Sequence, residues 1–212
     1  MRLTRRRFLA SSVVAGVAAC SSGSTRAGAA PRSVSYGSNP SQVADLYLPP
    51  GDGPHPAVVL VHGGFWKATY DRSLMAPLAV DLVGLGFAVW NIEFRRVGEQ
   101  GGGWPGTFDD VAAAVDALAG EQAVDAGRVV TCGHSAGGHL ALWAAGRARL
   151  PSGSPGADPK VRPRAAVSQA GVADLVAGSA ARLGGGAVDA LLDGSPSKRP
   201  ERYAVADPAE LL

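Results

Sequence analysis

The chain has 212 residues, of which 46% are hydrophobic and 18% charged, and its formal net charge is +2. This length and balance fit one globular domain with a buried core. The charge is nearly neutral without a basic block, and aromatic residues are few, so the composition argues against nucleic-acid binding. The two cysteines have neither disulfide nor metal-site spacing, and we expect no metal and no cofactor.

The first twenty residues have the pattern of an export signal. Arg5 and Arg6 precede a short apolar run, as in a twin-arginine signal, and the run is too short to cross a bilayer permanently. The sequence Val17-Ala18-Ala19-Cys20 resembles a lipobox, in which Cys20 becomes the lipidated first residue. Residues 1–20 are therefore predicted to be an export signal with a lipobox, which would leave a lipoprotein on the outer face of the cell membrane.

A polar, small-residue segment separates this signal from the rest of the chain. Residues 21–33 are rich in serine, glycine and alanine, a composition typical of a flexible linker. Within it, Ala27-Gly28-Ala29 is similar to a signal-peptidase cleavage site, so plain secretion is the alternative to a lipid anchor. We place the folded domain at residues 34–212.

From residue 34 onward, short apolar strands alternate with helical stretches. Strands are predicted over residues 43–48, 57–61, 87–92, 128–132 and 164–168. Helices are predicted after an N-cap at Asp71, after a capping box formed by Thr107 and Asp110, and from Ser135 to Arg149. Such alternation indicates a doubly wound α/β fold with a mostly parallel sheet. Beyond Gly171 no further strand is predicted.

One glycine-rich segment stands between a predicted strand and a predicted helix. It reads Gly133-His134-Ser135-Ala136-Gly137-Gly138, and its G-x-S-x-G pattern in this position is typical of a nucleophile elbow. The glycines leave room for the strained turn that lifts a serine hydroxyl out of the sheet. We predict Ser135 as the catalytic nucleophile and the N–H of Ala136, at the helix start, as an oxyanion donor.

A second glycine-containing segment, from His62 to Trp66, directly follows the apolar strand at 57–61. Glycines there allow backbone N–H groups to face an oxyanion that develops during acyl transfer. We expect the His62 side chain to hydrogen-bond this loop and Trp66 to be a pocket wall or a packing residue. The predicted oxyanion-hole residues of the loop are Gly63, Gly64 and Phe65.

Together the two motifs, HGGxW and GHSAGG, resemble the α/β-hydrolase superfamily, most closely its carboxylesterase and kynurenine-formamidase-like branch, over about residues 43–175. The resemblance implies a cofactor-free hydrolase that acts on small carboxylic esters through an acyl-serine intermediate. It also implies structural roles for Glu93, Arg95 and Asp109. An amidase or formamidase is the near alternative, and an inactive relic or a binding lipoprotein is the alternative of another class.

The partners that a serine nucleophile needs are difficult to find in this sequence. A histidine base and an orienting acid follow the nucleophile in this superfamily. The only later histidine, His139, lies one turn along the elbow helix and is expected to pack rather than react, and His134 is expected to face away. We assign no acid and no base. Four aspartates that follow Ser135 are not assigned as the orienting acid: Asp174, Asp189, Asp193 and Asp207.

The resemblance places the acid and the histidine beyond Leu212, so we expect an α/β-hydrolase fold that lacks its last strands. The apolar strand at residues 165–167 would then be an open sheet edge, which favours aggregation. We accordingly expect the 212-residue chain to be poorly soluble and at best feebly active.

Overall fold

The computed structural model describes residues 30–211, so the predicted export signal, Cys20 and most of the predicted linker lie outside the described residues. The strands are β1 (Arg32–Ser35), β2 (Val43–Tyr47), β3 (His55–Val61), β4 (Ala88–Ile92), β5 (Val124–His134) and β6 (Ala165–Gln169). They form one six-stranded sheet in the order β1-β2-β4-β3-β5-β6. The four strands β4, β3, β5 and β6 are parallel, whereas β2 is antiparallel to both of its neighbours. The predicted, mostly parallel α/β sheet is confirmed.

The helices are α1 (Ala76–Gly84), α2 (Gly106–Ala117), α3 (Ala136–Gly146), α4 (Leu175–Ala180), α5 (Leu183–Leu192), α6 (Pro200–Ala206) and α7 (Pro208–Leu211). Short 3-10 turns at Arg72–Met75, Leu118–Gly120 and Arg147–Arg149 precede α1 and follow α2 and α3. Within residues 30–211, no helix combines the length and the apolar character that crossing a membrane requires.

The strand β3 shows why the sheet is covered on both faces. Its side chains alternate between two hydrophobic clusters: Val59 and Val61 belong to the larger one, and Val58 and Leu60 to the smaller one. All four are buried, as expected of an uninterrupted apolar strand in the middle of a parallel sheet. The carboxyl end of β3 is thereby held rigidly where the predicted oxyanion loop begins.

The predicted capping box at Thr107 and Asp110 is wrong, although the predicted helix exists as α2. The Thr107 hydroxyl donates to the carbonyl of Arg95 at 2.6 Å, and the buried Asp110 carboxylate pairs with the Arg95 guanidinium at 2.6 Å. Both side chains hold the connection from β4 to α2 and therefore do not cap the helix. By contrast, Asp71 does act as an N-cap, accepting from the N–H of Ser73 at 2.8 Å.

One edge of the sheet is open in the part of the chain that the structure describes. There β6 pairs with β5 alone, and Val167 at its centre is 48% exposed. At the opposite edge, β1 includes Arg32 and Ser33, which the sequence had placed in the linker.

Candidate active site

A cavity of about 710 Å³ opens at the carboxyl ends of the parallel strands. The last residues of β5 and β6 and the segments that follow β3 and β5 line one side of it, which is where open α/β sheets bind ligands. The opposite wall is formed by the segment that leads into α1 and by its first turn. The residues of this mostly apolar wall are Tyr70, Leu74, Met75, Pro77 and Leu78.

Ser135 lies on the strained turn that the sequence predicts. It precedes α3 with φ 54° and ψ −118°, a conformation that L-residues adopt only when the surroundings enforce it. Its N–H donates to the carbonyl of Gln169 at 2.8 Å, and its carbonyl accepts from the N–H of His139 at 3.1 Å. Ser135 lines the cavity, and within residues 30–211 its hydroxyl has no hydrogen-bond partner.

The glycines beside Ser135 are required by close backbone contacts. A Cβ at Gly133 would collide with the carbonyl oxygen of Gly137, and one at Gly137 would collide with the carbonyl oxygens of Val61 and His62. Strand β5, helix α3 and the end of β3 therefore meet without room for side chains. This contact brings the elbow next to the loop that follows β3.

The loop after β3 lies next to Ser135, on the same side of the cavity mouth. A Cβ at Gly63 would lie 3.3 Å from the Cβ of Ser135. Gly64, Phe65 and Trp66 follow with φ of 113°, 54° and 56°, three successive positive values that turn the backbone sharply. Within the described residues, the N–H groups of Gly64 and Phe65 have no hydrogen-bond acceptor, so they are free to bind a ligand oxygen.

The structure therefore brings together the residues predicted for the oxyanion hole. Gly63, Gly64 and Phe65 line the same cavity as Ser135, and Ala136 is the first residue of α3 directly after it. Nothing in the sequence indicates that Phe65 carries a positive φ, since aromatic residues rarely adopt one.

Two buried side chains fix this loop from behind. The His62 ring lies with Nδ1 2.8 Å from the Gly63 carbonyl oxygen and Nε2 2.8 Å from Oε1 of Glu93. The indole of Trp66 is 1% exposed and donates to Nδ1 of His139 at 3.2 Å. The expected hydrogen bond from His62 to the loop is confirmed, and Trp66 is a packing residue rather than a pocket wall.

His139 is a core residue, as expected. Its Nε2 donates to the carbonyl of Ala206 at 2.9 Å while Nδ1 accepts from Trp66, so the ring is a neutral tautomer. Burial lowers the pKa of His139 to about 4. Because its ring edge also meets Phe108, this imidazole is held away from the cavity.

The expectation that His134 faces away is wrong. His134 lines the cavity beside Ser135, because it still pairs with Gln169 in the ladder between β5 and β6 and follows the alternation of the strand. His55 begins β3, at the far end of the sheet. Of the four histidines, His134 is thus the one that lines the cavity.

The four aspartates rejected as the catalytic acid have other partners in the structure. Asp174 caps α4, Asp189 accepts from Ser179 and Tyr203, Asp193 pairs with two arginines, and Asp207 accepts from the N–H of Leu175. None of them lines the cavity.

Charged residues after β4 hold the loops together, with one difference from the roles that the resemblance implied. The Glu93 carboxylate contacts the His62 ring. The Arg95 guanidinium pairs with Asp110, whose carboxylate is fully buried. Asp109, by contrast, is exposed. The residue that holds the loop is therefore Asp110 and not Asp109.

Comparison with known proteins gives one family match. A sequence profile of the BD-FAE family matches residues 44–212. Over 123 residues the chain is 32% identical to the probable isoprenylcysteine alpha-carbonyl methylesterase ICMEL2 of Arabidopsis thaliana. The alignment covers 53% of this chain and 27% of that protein, so the chain spans about a quarter of the length of this relative.

Solved structures of esterases share the fold. A truncated form of a carbohydrate esterase from gut microbiota superposes with a TM-score of 0.71 at 22% identity, over 86% of this chain and 73% of that one. A hyperthermophilic esterase from the archaeon Pyrobaculum calidifontis has a TM-score of 0.52 at 26% identity, over 63% of this chain and 41% of that one. Because the carbohydrate esterase is only 22% identical to this chain, its likeness shows the shared fold alone.

Proposed function

This chain belongs to the BD-FAE family of α/β-hydrolases, and we propose that it is a serine hydrolase of carboxylic esters in which Ser135 is the nucleophile. The observation that carries the proposal is the position of Ser135. It stands on a strained turn, in a cavity where the N–H groups of Gly64 and Phe65 have no acceptor within the described residues.

The proposed chemistry is acyl transfer through the serine. The Ser135 oxygen attacks the carbonyl carbon of the ester, the hydroxyl proton passes to solvent water, and the carbonyl oxygen becomes an oxyanion. The N–H groups of Gly64, Phe65 and Ala136 would stabilise that oxyanion, each by about 3 kcal/mol if preorganised. The alcohol then departs, and water hydrolyses the acyl-serine.

The expected rate of ester hydrolysis depends on whether a histidine can act as the base for Ser135. His62 and His139 are held by other partners, and His134, which lines the cavity, has no hydrogen bond to a carboxylate within residues 30–211. Binding and an oxyanion hole without a complete triad give an acceleration of about 10³–10⁴ over water in serine proteases. We expect the 212-residue chain to exceed this serine-independent level by the contribution of Ser135 and to remain far below an enzyme with a complete triad.

The lack of an aligned histidine within the described residues also favours esters over amides as substrates. An amine must be protonated as it leaves, which is the task of an aligned histidine, whereas an activated alcohol leaves as its anion. The wall formed by Leu74, Met75 and Leu78 is apolar, and each buried methylene of a substrate adds about 0.8 kcal/mol. We therefore propose esters with an apolar acyl or alcohol group as substrates.

The direct experiment is hydrolysis of p-nitrophenyl acetate and p-nitrophenyl hexanoate by the wild type, Ser135→Ala and the control Ser152→Ala. Ser152 is exposed in a loop outside the cavity. Because the oxyanion hole and the binding cavity remain in Ser135→Ala, we expect this variant to fall clearly below the wild type while staying above buffer, and the Ser152→Ala rate to equal the wild type. Equal rates for wild type and Ser135→Ala would refute the proposal.

We also propose that the protein is exported and anchored by a lipid at Cys20. The proposal is supported by the sequence around Arg5-Arg6 and by the lipobox-like Val17-Ala18-Ala19-Cys20. When the full chain is expressed in a bacterium with an alkynyl fatty acid, the wild type should carry the label in the membrane fraction, and Cys20→Ser should not. An unlabelled, water-soluble wild type would refute the anchor and leave plain secretion.

A further inference from the structure

Every group that contacts the Glu93 carboxylate, apart from His62, is a hydrogen-bond donor. Its Oε2 accepts from the N–H of Arg72 at 2.9 Å, and its Oε1 accepts from the N–H of Phe94 at 3.2 Å. The Arg96 guanidinium lies 3.2 Å from Oε1. Two backbone N–H donors and the positive charge of the Arg96 guanidinium stabilise the ionised form of this carboxyl group. The Glu93 side chain is therefore an acceptor toward His62 as well.

The other ring nitrogen of His62 also faces an acceptor. Nδ1 lies 2.8 Å from the carbonyl oxygen of Gly63, and a carbonyl can only accept. Nε2 lies 2.8 Å from Oε1 of Glu93. A neutral imidazole has one N–H and could make only one of these two hydrogen bonds. We propose that His62 is an imidazolium that donates from both nitrogens and thereby positions the oxyanion loop.

The surroundings of His62 are compatible with a buried cation. The ring is 1% exposed and stacks on Phe94, with 4.5 Å between centroids and 11° between planes, a geometry that favours a cation over an aromatic face. The charged groups around it are Glu93, Arg96 and Asp71, and Arg96 is itself paired with Glu99 at 2.8 Å. The proposed His62 cation and the Arg96 guanidinium thus both have carboxylate partners, as buried charges require.

This cation acts on the site through the backbone of Gly63. In a trans peptide the carbonyl and the following N–H point in opposite directions. Since His62 holds the Gly63 carbonyl at its ring, the N–H of Gly64 points away from His62, in a loop that lines the cavity with Ser135. His62 is a positioning residue: it fixes the direction of a donor and does not touch the substrate.

His139 provides an internal control for the protonation of His62. It is equally buried, but its Nδ1 accepts from Trp66 and its Nε2 donates to Ala206, so it holds one proton. The test is a long-range ¹H–¹⁵N correlation spectrum of the full chain, uniformly labelled with ¹⁵N, at pH 7.5. We expect both nitrogens of His62 to be protonated and only one nitrogen of His139. A bare nitrogen on His62 would overturn the proposal.

This measurement does not depend on hydrolytic activity, so it stands whether or not Ser135 is a nucleophile. Resonances are assigned with His62→Asn and His139→Gln. If either variant fails to fold, His55→Gln and His134→Gln identify the two remaining rings by elimination, since both of those histidines lie outside the buried core.

A kinetic arm tests the positioning role and rests on the proposed function. In His62→Asn the amide nitrogen matches Nδ1 and can still donate to Gly63, whereas in His62→Gln it matches Nε2 and can donate only to Glu93. Loss of a transition-state donor lowers kcat while KM is retained. We expect kcat to fall about tenfold or more in His62→Gln, with KM within about twofold, and to stay within about threefold in His62→Asn. Equal losses of kcat in the two variants would overturn the positioning role.

Discussion

The N–H of Ser135 donates to the carbonyl of Gln169 at 2.8 Å, so the nucleophile position is fixed by the last residue of β6. Gln169 also lines the cavity. The strand that holds the elbow is at the same time the open edge of the described sheet. Solubility and the geometry of the candidate site therefore depend on the same strand.

A charge on this edge should improve solubility without disturbing the elbow. Val167 is 48% exposed at the centre of β6, and edge lysines discourage pairing with another chain. We expect Val167→Lys to reduce aggregation, measured as the fraction of monomer in size-exclusion chromatography with light scattering. Val80→Lys is the control, because Val80 is 61% exposed on helix α1, away from any sheet edge. If the two variants improve the monomer fraction equally, general charge and not the β6 edge is responsible.

The elbow glycines should tolerate no side chain. Gly137→Ala would drive a Cβ into the carbonyl oxygens of Val61 and His62, and we expect a loss of about 3 kcal/mol in the free energy of unfolding. Gly84→Ala is the matched control, because a Cβ at the last residue of α1 meets nothing within 4 Å. There we expect a gain of about 0.5–1 kcal/mol. Urea unfolding measures both; equal stability of the two variants would contradict the close contact at the elbow.

Stability should fall with acid because His139 is buried as the neutral ring. Burial lowers its pKa from 6.5 to about 4. At pH values between these two, the unfolded chain therefore binds a proton at His139 that the folded chain does not bind. This histidine should therefore cost about 2 kcal/mol of stability between pH 7.5 and pH 5.0. The check is urea unfolding at the two pH values for the wild type and His139→Gln, which keeps a donor for Ala206 but cannot titrate. The same pH dependence in both proteins would show that His139 is not the group responsible.

A buried ion pair should matter far more than an exposed one. The Arg147 guanidinium is 1% exposed and pairs with Asp116 at 2.8 Å, and it also donates to the carbonyl of Gly156. Arg147→Ala leaves Asp116 without its cation, and we expect a loss of about 3–5 kcal/mol in thermal or urea unfolding. Arg128→Ala removes an exposed pair to Asp125 at 4.0 Å and should change stability by less than about 1 kcal/mol. Comparable losses would contradict the assignment of the Arg147 pair to the core.

The sequence could predict those features that depend on local periodicity and on short motifs. The uninterrupted apolar run at 57–61 indicates a strand buried on both faces, and the glycines at 133 and 137 indicate the strained turn at Ser135. These signals are local because burial of a whole strand and steric room at a turn leave a direct record in the residue types.

Other features depend on contacts between distant parts of the chain. Thr107 and Asp110 have the residue types of a helix cap, but Arg95, brought close by the end of β4, takes both side chains. Strand β5 continues to His134, two residues beyond its predicted end, where it pairs with Gln169 of β6, and His134 lines the cavity there. The positive φ of Phe65 is imposed by the packing of the oxyanion loop and not by its side chain. No window of the sequence contains that information.

The proposal that Ser135 is an acyl-accepting nucleophile is tested most directly by covalent labelling. The folded 212-residue chain is incubated with excess fluorophosphonate and digested with trypsin, and the modified peptide is sequenced by mass spectrometry. We predict one adduct, on Ser135 in the peptide 129–147, which is absent from Ser135→Ala. An adduct on another residue, or an unmodified Ser135 in protein shown to be folded, would contradict the account.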